Sequence, residues 1–265
     1  MPLQPMNARS EYFGSVAGFY GKIPSAGDFV SRRVPQQTIF IWDNWLRTCL
    51  YEATLLSPAI AAPAHGPQSI HVRRAATWNF VLPPAVCGQT MIGTIAPSSD
   101  RVGRQFPFTI FRQSDLPAQQ NICLEQLSGL YADHESIIAD LTHRNPNIDQ
   151  LEQLFAAADN RIPAIDDSAT GSSTSTCSGD IFSVLNADCE NNQNAGLSAR
   201  SPSPVPWPRL QISNVTMGCT SYWWCNQSGG GPMRAMTHSG GLNKTLFNAL
   251  FSQTALHARH TDWKK

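Results

Sequence analysis

The chain has 265 residues and a mass of 29.0 kDa, which is enough for one large domain or two small ones. Hydrophobic residues make up 42% and charged residues 14% of it, which argues against disorder of the whole chain because disordered chains usually combine low hydrophobicity with high charge. Nineteen basic residues balance nineteen acidic ones, so the overall positive charge typical of nucleic-acid-binding domains is absent.

Membrane, metal and cofactor sites are not indicated by the sequence. The first ten residues contain no apolar run of a secretory leader, and no stretch of about 18 uncharged apolar residues could form a membrane helix. The seven cysteines lack regular spacing, and no Cys-x-x-Cys or His-Glu-x-x-His motif is present. We therefore expect a cytoplasmic protein without membrane insertion, metal or cofactor, and without a nucleic-acid partner.

The first predicted elements are a buried strand over residues 15–20, a turn-rich loop over 21–29 and a helix over 37–56. In the helix, apolar residues recur at helical spacing and charged residues lie off that stripe. The stripe consists of Trp42, Trp45, Leu46, Cys49, Leu50 and Ala53. This pattern predicts a helix that buries a strongly aromatic face.

Strands and helices alternate in the rest of the predicted order. Strands are predicted over residues 75–82, 90–96, 106–112, 222–225 and 233–237. Helices are predicted over 121–141, 148–158 and 244–251, with Asn147 or Asp149 capping the second and Asn243 the third. Because the elements interleave without a repeat, we expect an α/β fold: a central mixed β-sheet flanked by helices in a three-layer, sandwich-like arrangement.

Three segments are predicted to be flexible insertions in one domain that covers residues 12–265. The first, 57–70, is rich in Ala and Pro and is expected to connect elements. The other two, 166–180 and 186–208, are rich in Ser, Thr, Asn and Pro and contain too few apolar groups to pack.

A glycine-containing segment over residues 18–25, GFYGKIPS, invites comparison with a phosphate-binding loop. Such a loop requires four residues between its glycines, whereas only two separate Gly18 and Gly21, and Pro24 removes one N–H donor. We interpret the segment as a glycine turn that leaves a strand, with Gly21 and Gly27 as structural turn residues.

The segment over residues 98–107, SSDRVGRQFP, is a more specific pattern. Asp100, Arg101 and Arg104 surround Gly103, a third structural turn residue that can adopt a positive φ. The loop is either an internally paired scaffold or a rigid polar patch for a partner, which Asp28 of the first loop could join. The sequence leaves both interpretations open.

Catalytic residues are not indicated by the sequence. The seven histidines are scattered, and no Gly-x-Ser-x-Gly motif is present, so no nucleophile with an adjacent base is identified. Residues 222–224 form a dense aromatic group, in which one tryptophan is expected in the core and an exposed second one would be a binding hot spot.

Four motifs follow one another along the chain: GFYGKIPSAGDFVSRR over residues 18–33, WNFVLPPAVCG over 78–88, PSSDRVGRQFP over 97–107 and SYWW over 221–224. Together they resemble the motifs of the TagF (also ImpM) family of type VI secretion accessory proteins. One departure is Asn79, which stands where we expect a basic residue in the family pattern.

The resemblance implies a single α/β domain that restrains type VI secretion after translation and has no enzymatic activity. It implies cytoplasmic partners among the type VI secretion components, in some systems the forkhead-associated scaffold protein. We expect the protein-contact surface to contain Lys22, Ser25, Asp28, Asp100, Arg101, Arg104 and Trp224.

Two other classes of function are alternatives. One is a small phosphate- or nucleotide-handling enzyme that uses Asp28 and Asp100 as acid and base beside Arg101 and Arg104. The other is a structural component associated with the secretion baseplate. A concave pocket containing both loops would favour the enzyme, and a flat face would favour a docking surface.

Overall fold

A seven-stranded sheet forms the centre of the computed structural model, which describes residues 17–55, 75–113, 122–159, 204–226 and 234–251. Its strands are β1 Gly18–Gly21, β2 Val30–Arg32, β3 Trp78–Leu82, β4 Met91–Ala96, β5 Phe108–Gln113, β6 Thr220–Cys225 and β7 Arg234–Ser239. The strand order is β2-β1-β5-β4-β3-β6-β7.

Helices cover both faces of this sheet. They are α1 Gln36–Leu55, α2 Pro84–Cys87, α3 Ser128–Arg144, α4 Ile148–Asp159, α5 Ile212–Thr216 and α6 Lys244–Phe251, with a 3-10 turn at Leu124–Leu127. Helices α1 and α6 pack on one face, and α3, α4 and α5 pack on the other. The predicted α/β class and its three layers are therefore confirmed.

The direction of the strands differs from the prediction of a mixed sheet. Every pairing between the described strands is antiparallel. The links from β3 to β4 and from β4 to β5 are short, and short links join antiparallel neighbours, whereas a parallel neighbour requires a long crossover. The alternating order of helices and strands along the sequence is compatible with both parallel and antiparallel neighbours, so it did not predict the strand direction.

The aromatic stripe of α1 faces the sheet as predicted. The side chains of Trp42 and Leu46 are fully buried. Trp42 Nε1 donates to Thr109 Oγ1 of β5 over 2.9 Å, and Trp45 Nε1 donates to the Asn243 carbonyl over 2.9 Å. Phe40 lies on the opposite, solvent side of the helix, so the sequence pattern gave the correct helix phase.

Alternate residues of the central strands are buried on opposite faces of the sheet. In β3, Phe80 packs on the α1 side, whereas Val81 packs on the α3 side. In β6, Trp223 packs on the α1 side and Trp224 on the α3 side. Because both faces are covered, these strands lack the alternation of apolar and polar residues that a sheet with one solvent-exposed face shows.

Most predicted elements are present, with boundary shifts of a few residues. The helix predicted over 121–141 is a 3-10 turn followed by α3, and three short elements, β2, α2 and α5, were not predicted. Asn147 Oδ1 accepts from Gln150 N over 2.9 Å, and Asn243 Oδ1 accepts from Leu246 N over 3.0 Å. Both are N-cap contacts that the sequence predicted.

The predicted insertions at 57–70 and 166–180 lie outside the described residues, as does 186–203 of the third. The described part of that third segment is 204–208, where the ring of Trp207 lies 5.3 Å from that of Tyr222. Val205 and Trp207 of this segment therefore pack against the core on the α3 side of the sheet.

Candidate functional site

The two loops singled out in the sequence lie side by side. Strands β1 and β5 are antiparallel neighbours, so the chain leaving β1 meets the chain entering β5. The Arg101 N–H donates to the Ala26 carbonyl over 2.8 Å, and Ser98 Oγ donates to the Lys22 carbonyl over 2.7 Å. Residues 22–29 and 97–107 thus form one structural unit.

Asp100 is the centre of this unit. Its Oδ2 accepts from Lys22 Nζ over 2.9 Å and from Arg104 Nε over 2.6 Å. Its Oδ1 accepts from the backbone N–H groups of Val102 over 3.0 Å and Arg104 over 2.9 Å. The residue is only 2% exposed, and the four donors satisfy its buried carboxylate.

The charge state of Asp100 follows from these contacts. Burial alone would raise the pKa of its carboxyl group, because a charge is poorly solvated in the interior. The hydrogen bonds from Lys22 and Arg104, together with the charge of Lys22, outweigh burial and lower the pKa of Asp100 to about 2. The carboxylate is therefore ionised at any physiological pH.

The outer side of the unit is exposed. We call it the loop face and define it as Gly27, Asp28, Arg101, Val102, Gly103 and Arg104, all of which are exposed. Val102 is 69% exposed although it is apolar. Arg104 Nη2 also donates to the Gly27 carbonyl over 2.7 Å, which ties the two halves of the face together.

Two of the three predicted turn glycines have the expected conformation. Gly21 has a φ of 139° and Gly103 a φ of 90°, a region that favours glycine. Gly27 does not have a positive φ, so that turn does not require glycine for its backbone conformation.

Three predicted contact residues are buried, and their placement on a contact surface was wrong. Lys22 and Asp100 are 6% and 2% exposed because they pair with each other inside the fold. Trp224 is fully buried, and its ring lies 4.7 Å from that of Tyr131. Since Trp223 is buried on the opposite face, neither tryptophan is an exposed hot spot.

The other predicted contact residues remain near the surface. Asp28, Arg101 and Arg104 belong to the loop face. Ser25 is half-buried, and its Oγ donates to the Pro146 carbonyl over 2.7 Å. That bond connects the first loop to the link between α3 and α4.

Phe29 is a residue of this region that the sequence reasoning missed. The Lys22 ammonium lies 5.1 Å and the Arg47 guanidinium 4.9 Å from the centre of its ring, within the range of cation–π attraction. Arg47 also pairs with Asp43, which accepts a hydrogen bond from Tyr20. The sequence feature that could have indicated this role is that Phe29 is an aromatic residue in an otherwise polar loop.

A second polar cluster lies under α3, away from the loop face. Asn79 Nδ2 donates to Glu135 Oε1 over 2.7 Å, and Thr94 Oγ1 donates to Asn79 Oδ1 over 2.8 Å. His134 lies beside Thr94, and burial and the nearby Arg112 charge hold the pKa of His134 well below its usual value. These contacts explain why the polar Asn79 side chain is tolerated in the interior, where both ends of its amide are hydrogen-bonded.

Neither cluster forms a metal site. Within the described ranges, no three or more His, Cys, Asp and Glu side chains are placed so that they could hold a metal ion together. The described helices also include none with the length and apolar character needed to cross a membrane.

A cleft of about 380 Å³ lies on the inner side of the 97–105 loop. It is lined by residues from that loop, from α3 and from Pro24, Ala75, Thr77 and Ala96. Neither Asp28 nor Asp100 lines it, so the cleft does not bring together the two carboxylates of the enzyme alternative.

Comparison with known families shows to which family the chain belongs. The sequence profile of the TagF N-terminal domain, described as type VI secretion system-associated, matches residues 18–158. The chain belongs to this family. Three of the four motifs lie within the matched residues, and the match associates this family member with type VI secretion.

A solved structure has the same fold. It is that of the protein PA0076 from Pseudomonas aeruginosa PAO1, with a TM-score of 0.56 and 24% sequence identity. The similarity covers 89% of this chain and 93% of that protein. No curated protein matches the chain.

Proposed function

We propose that this TagF family member restrains type VI secretion after translation, through protein–protein contacts of the loop face and without catalysing a reaction. The observation that carries the proposal is the inward anchoring of the 100–104 turn on Asp100, which leaves Arg101 and Val102 exposed. A rigid turn with an exposed arginine beside an apolar side chain has the composition of a protein-binding surface, where arginine is enriched among hot spots.

The partner that we propose is a cytoplasmic component of the type VI secretion apparatus, with the forkhead-associated scaffold protein as the first candidate. Family membership supports the choice of apparatus. The loop face supports a contact by surface complementarity, because its exposed side chains are of mixed character: two arginines, one aspartate and one valine.

The arrangement of the carboxylates argues against the enzyme alternative. A general acid or base works best with a pKa near the operating pH, whereas the pKa of Asp100 is lowered to about 2. Asp28 is exposed, and its Oδ1 accepts from the neighbouring Phe29 N–H over 2.8 Å. The two carboxylates therefore do not form the acid and base of one site.

A deletion strain tests the proposal. We expect loss of this protein to raise secretion of the tube protein of the system without raising its cellular level, and complementation with the wild-type chain to reverse the rise. Unchanged or lower secretion would instead support the structural-component alternative, because removal of a baseplate part impairs assembly.

A further inference from the structure

The two edges of the sheet differ in how well they are protected against pairing with another chain. At one edge, β2 has only three residues, and Arg32 and Arg33 at its end form ion pairs with Glu152 of α4. At the other edge, β7 has six residues and contains neither proline nor an acidic residue. Short length, charged side chains and proline are features that keep edge strands from pairing, so β7 is the less protected edge.

The register of β7 shows which of its backbone groups point outward. The Gly240 N–H donates to the carbonyl of Cys219, the residue opposite it, over 3.1 Å. Opposing residues of antiparallel strands alternate between pairs that exchange hydrogen bonds and pairs that do not. Ala235, Thr237 and Ser239 therefore direct their N–H and C=O groups away from β6. All three are exposed, and no strand in the described part of the chain pairs with their side of β7.

The two basic side chains of β7 are held by contacts within the chain. The Arg234 guanidinium lies 5.1 Å from the centre of the Trp78 ring, and His238 Nε2 donates to the Gly241 carbonyl over 3.0 Å. Because side chains alternate along a strand, both lie on the α1 side of the sheet together with Met236. The residues whose backbone groups point outward carry only short, uncharged side chains.

We propose that β7 pairs with β7 of a second copy of this chain in an antiparallel, twofold-symmetric dimer, which joins the two sheets into one. A register centred on Thr237 places Thr237 opposite the partner's Thr237 and Ala235 opposite the partner's Ser239. Ser239 then lies opposite the partner's Ala235. Every outward N–H and C=O group of these three residues exchanges a hydrogen bond with its opposite residue in this register.

The side chains of β7 favour a second copy as the occupant of this edge. In the same register, Arg234 lies opposite the partner's Gly240 and His238 opposite the partner's Met236, so like charges do not face each other directly. Strands that recognise a foreign peptide gain specificity from pockets for its side chains, whereas the outward residues of β7 are short and uncharged. Twofold pairing needs no such pocket, because the same strand supplies both halves of the contact.

The inference is independent of the proposed function. It uses no residue of the loop face, and the strand order places β7 at the edge opposite β1 and β2. A dimer that forms through β7 therefore carries two copies of the loop face. Secretion assays test the loop face, and the mass of the purified chain tests the dimer, so either proposal can fail without the other.

Sedimentation equilibrium of the purified full chain over a concentration series tests the dimer. We expect a monomer–dimer equilibrium with a dimer of twice the 29.0 kDa chain mass. Thr237→Pro removes an outward N–H while keeping the bonds to β6, so it should stay folded and weaken the dimer about ten-fold or more. Thr237→Val, which keeps the N–H and the β-branched shape, should dimerise within about two-fold of the wild type.

Melting curves establish that both variants are folded. A wild-type chain that is monomeric at every concentration would overturn the proposal and leave the edge to a strand of another protein. Unchanged dimerisation of folded Thr237→Pro would overturn it as well, because the contact would then lie elsewhere on the molecule.

Disulfide cross-linking tests the register and does not depend on the proline variant. Opposing residues that exchange hydrogen bonds have Cα atoms about 5.5 Å apart, within the range of a disulfide. We expect Thr237→Cys to form a covalent dimer under mild oxidation. Ala235→Cys is the control, because position 235 lies four residues, about 13 Å, from its own counterpart. Both variants keep the native cysteines. Equal cross-linking at the two positions, or none at 237, would overturn the proposed pairing.

Discussion

Lys22 and Asp100 form a buried ion pair, Nζ to Oδ2 at 2.9 Å, between side chains that are 8% and 0% exposed. The pair joins two loops that are 78 residues apart in the chain. A buried pair adds little net stability compared with apolar side chains, but removing one partner leaves an uncompensated charge and is costly. The exposed 100–104 turn is thus held in place by an interior contact.

Asp100→Asn should therefore destabilise the fold by about 3–5 kcal/mol, because Lys22 then lies buried without its counter-charge. Arg104→Ala is the comparison: the Arg104 side chain is 62% exposed, and its loss should cost about 1 kcal/mol or less. Urea denaturation of both variants measures the difference. Equal free energies of unfolding of the two variants would show that the buried Lys22 charge does not require Asp100 as its counter-charge.

The same carboxylate predicts a pH dependence of stability. Its pKa is lowered from 3.8 to about 2 in the fold, so its contribution is fully present above the unfolded value and is lost as pH falls through the folded value. We expect the wild-type advantage over Asp100→Asn to be constant at neutral pH and to shrink between about pH 4 and 2. An advantage that stays unchanged at pH 2 would contradict the assignment.

Trp42→Ala should lower the free energy of unfolding by about 3–5 kcal/mol, because it removes a fully buried aromatic side chain. It also leaves Thr109 Oγ1 without the indole donor. Phe40→Ala, on the solvent side of the same helix at 74% exposure, should change stability by no more than about 0.5 kcal/mol. Comparable losses in both variants would mean that α1 is rotated about its axis.

Gly21→Ala should destabilise the junction of β1 and β5. A Cβ at position 21 would lie 2.2 Å from the Pro107 carbonyl oxygen, and its φ of 139° is unfavourable for other residues. We expect a loss of about 2 kcal/mol or more. In Gly27→Ala the nearest atom to the new Cβ is Arg101 Nη2 at 3.6 Å, so that control should be nearly neutral in thermal unfolding.

Sequence periodicity predicted those elements whose pattern is set by one buried face. The stripe of α1 gave its phase because Trp42 and Leu46 repeat at helical spacing on one side. The caps Asn147 and Asn243 were identified because an N-cap is a local contact between residues three positions apart. The three-residue strand β2 was missed because a run that short carries no measurable period.

Strand direction and burial within the motifs depend on long-range contacts. Lys22 and Asp28 are both charged residues of one loop. Lys22 is buried because it pairs with Asp100, which a distant segment contributes, whereas Asp28 is exposed. Trp224 was placed on the expected contact surface because nothing local in the sequence indicates that α3 covers its face of β6. The sequence therefore identified the two loops but did not separate their inner residues from their outer ones.

Secretion in a strain that carries Arg101→Ala tests the central claim most directly. The deletion strain is complemented with this variant or with Arg209→Ala, an exposed arginine outside the loop face, and the tube protein is measured in the medium and in the cells. The account predicts that folded Arg101→Ala, with a melting temperature equal to that of the wild type, fails to restrain secretion, whereas Arg209→Ala restrains it normally. Full restraint by folded Arg101→Ala would contradict the assignment of the loop face as the contact surface.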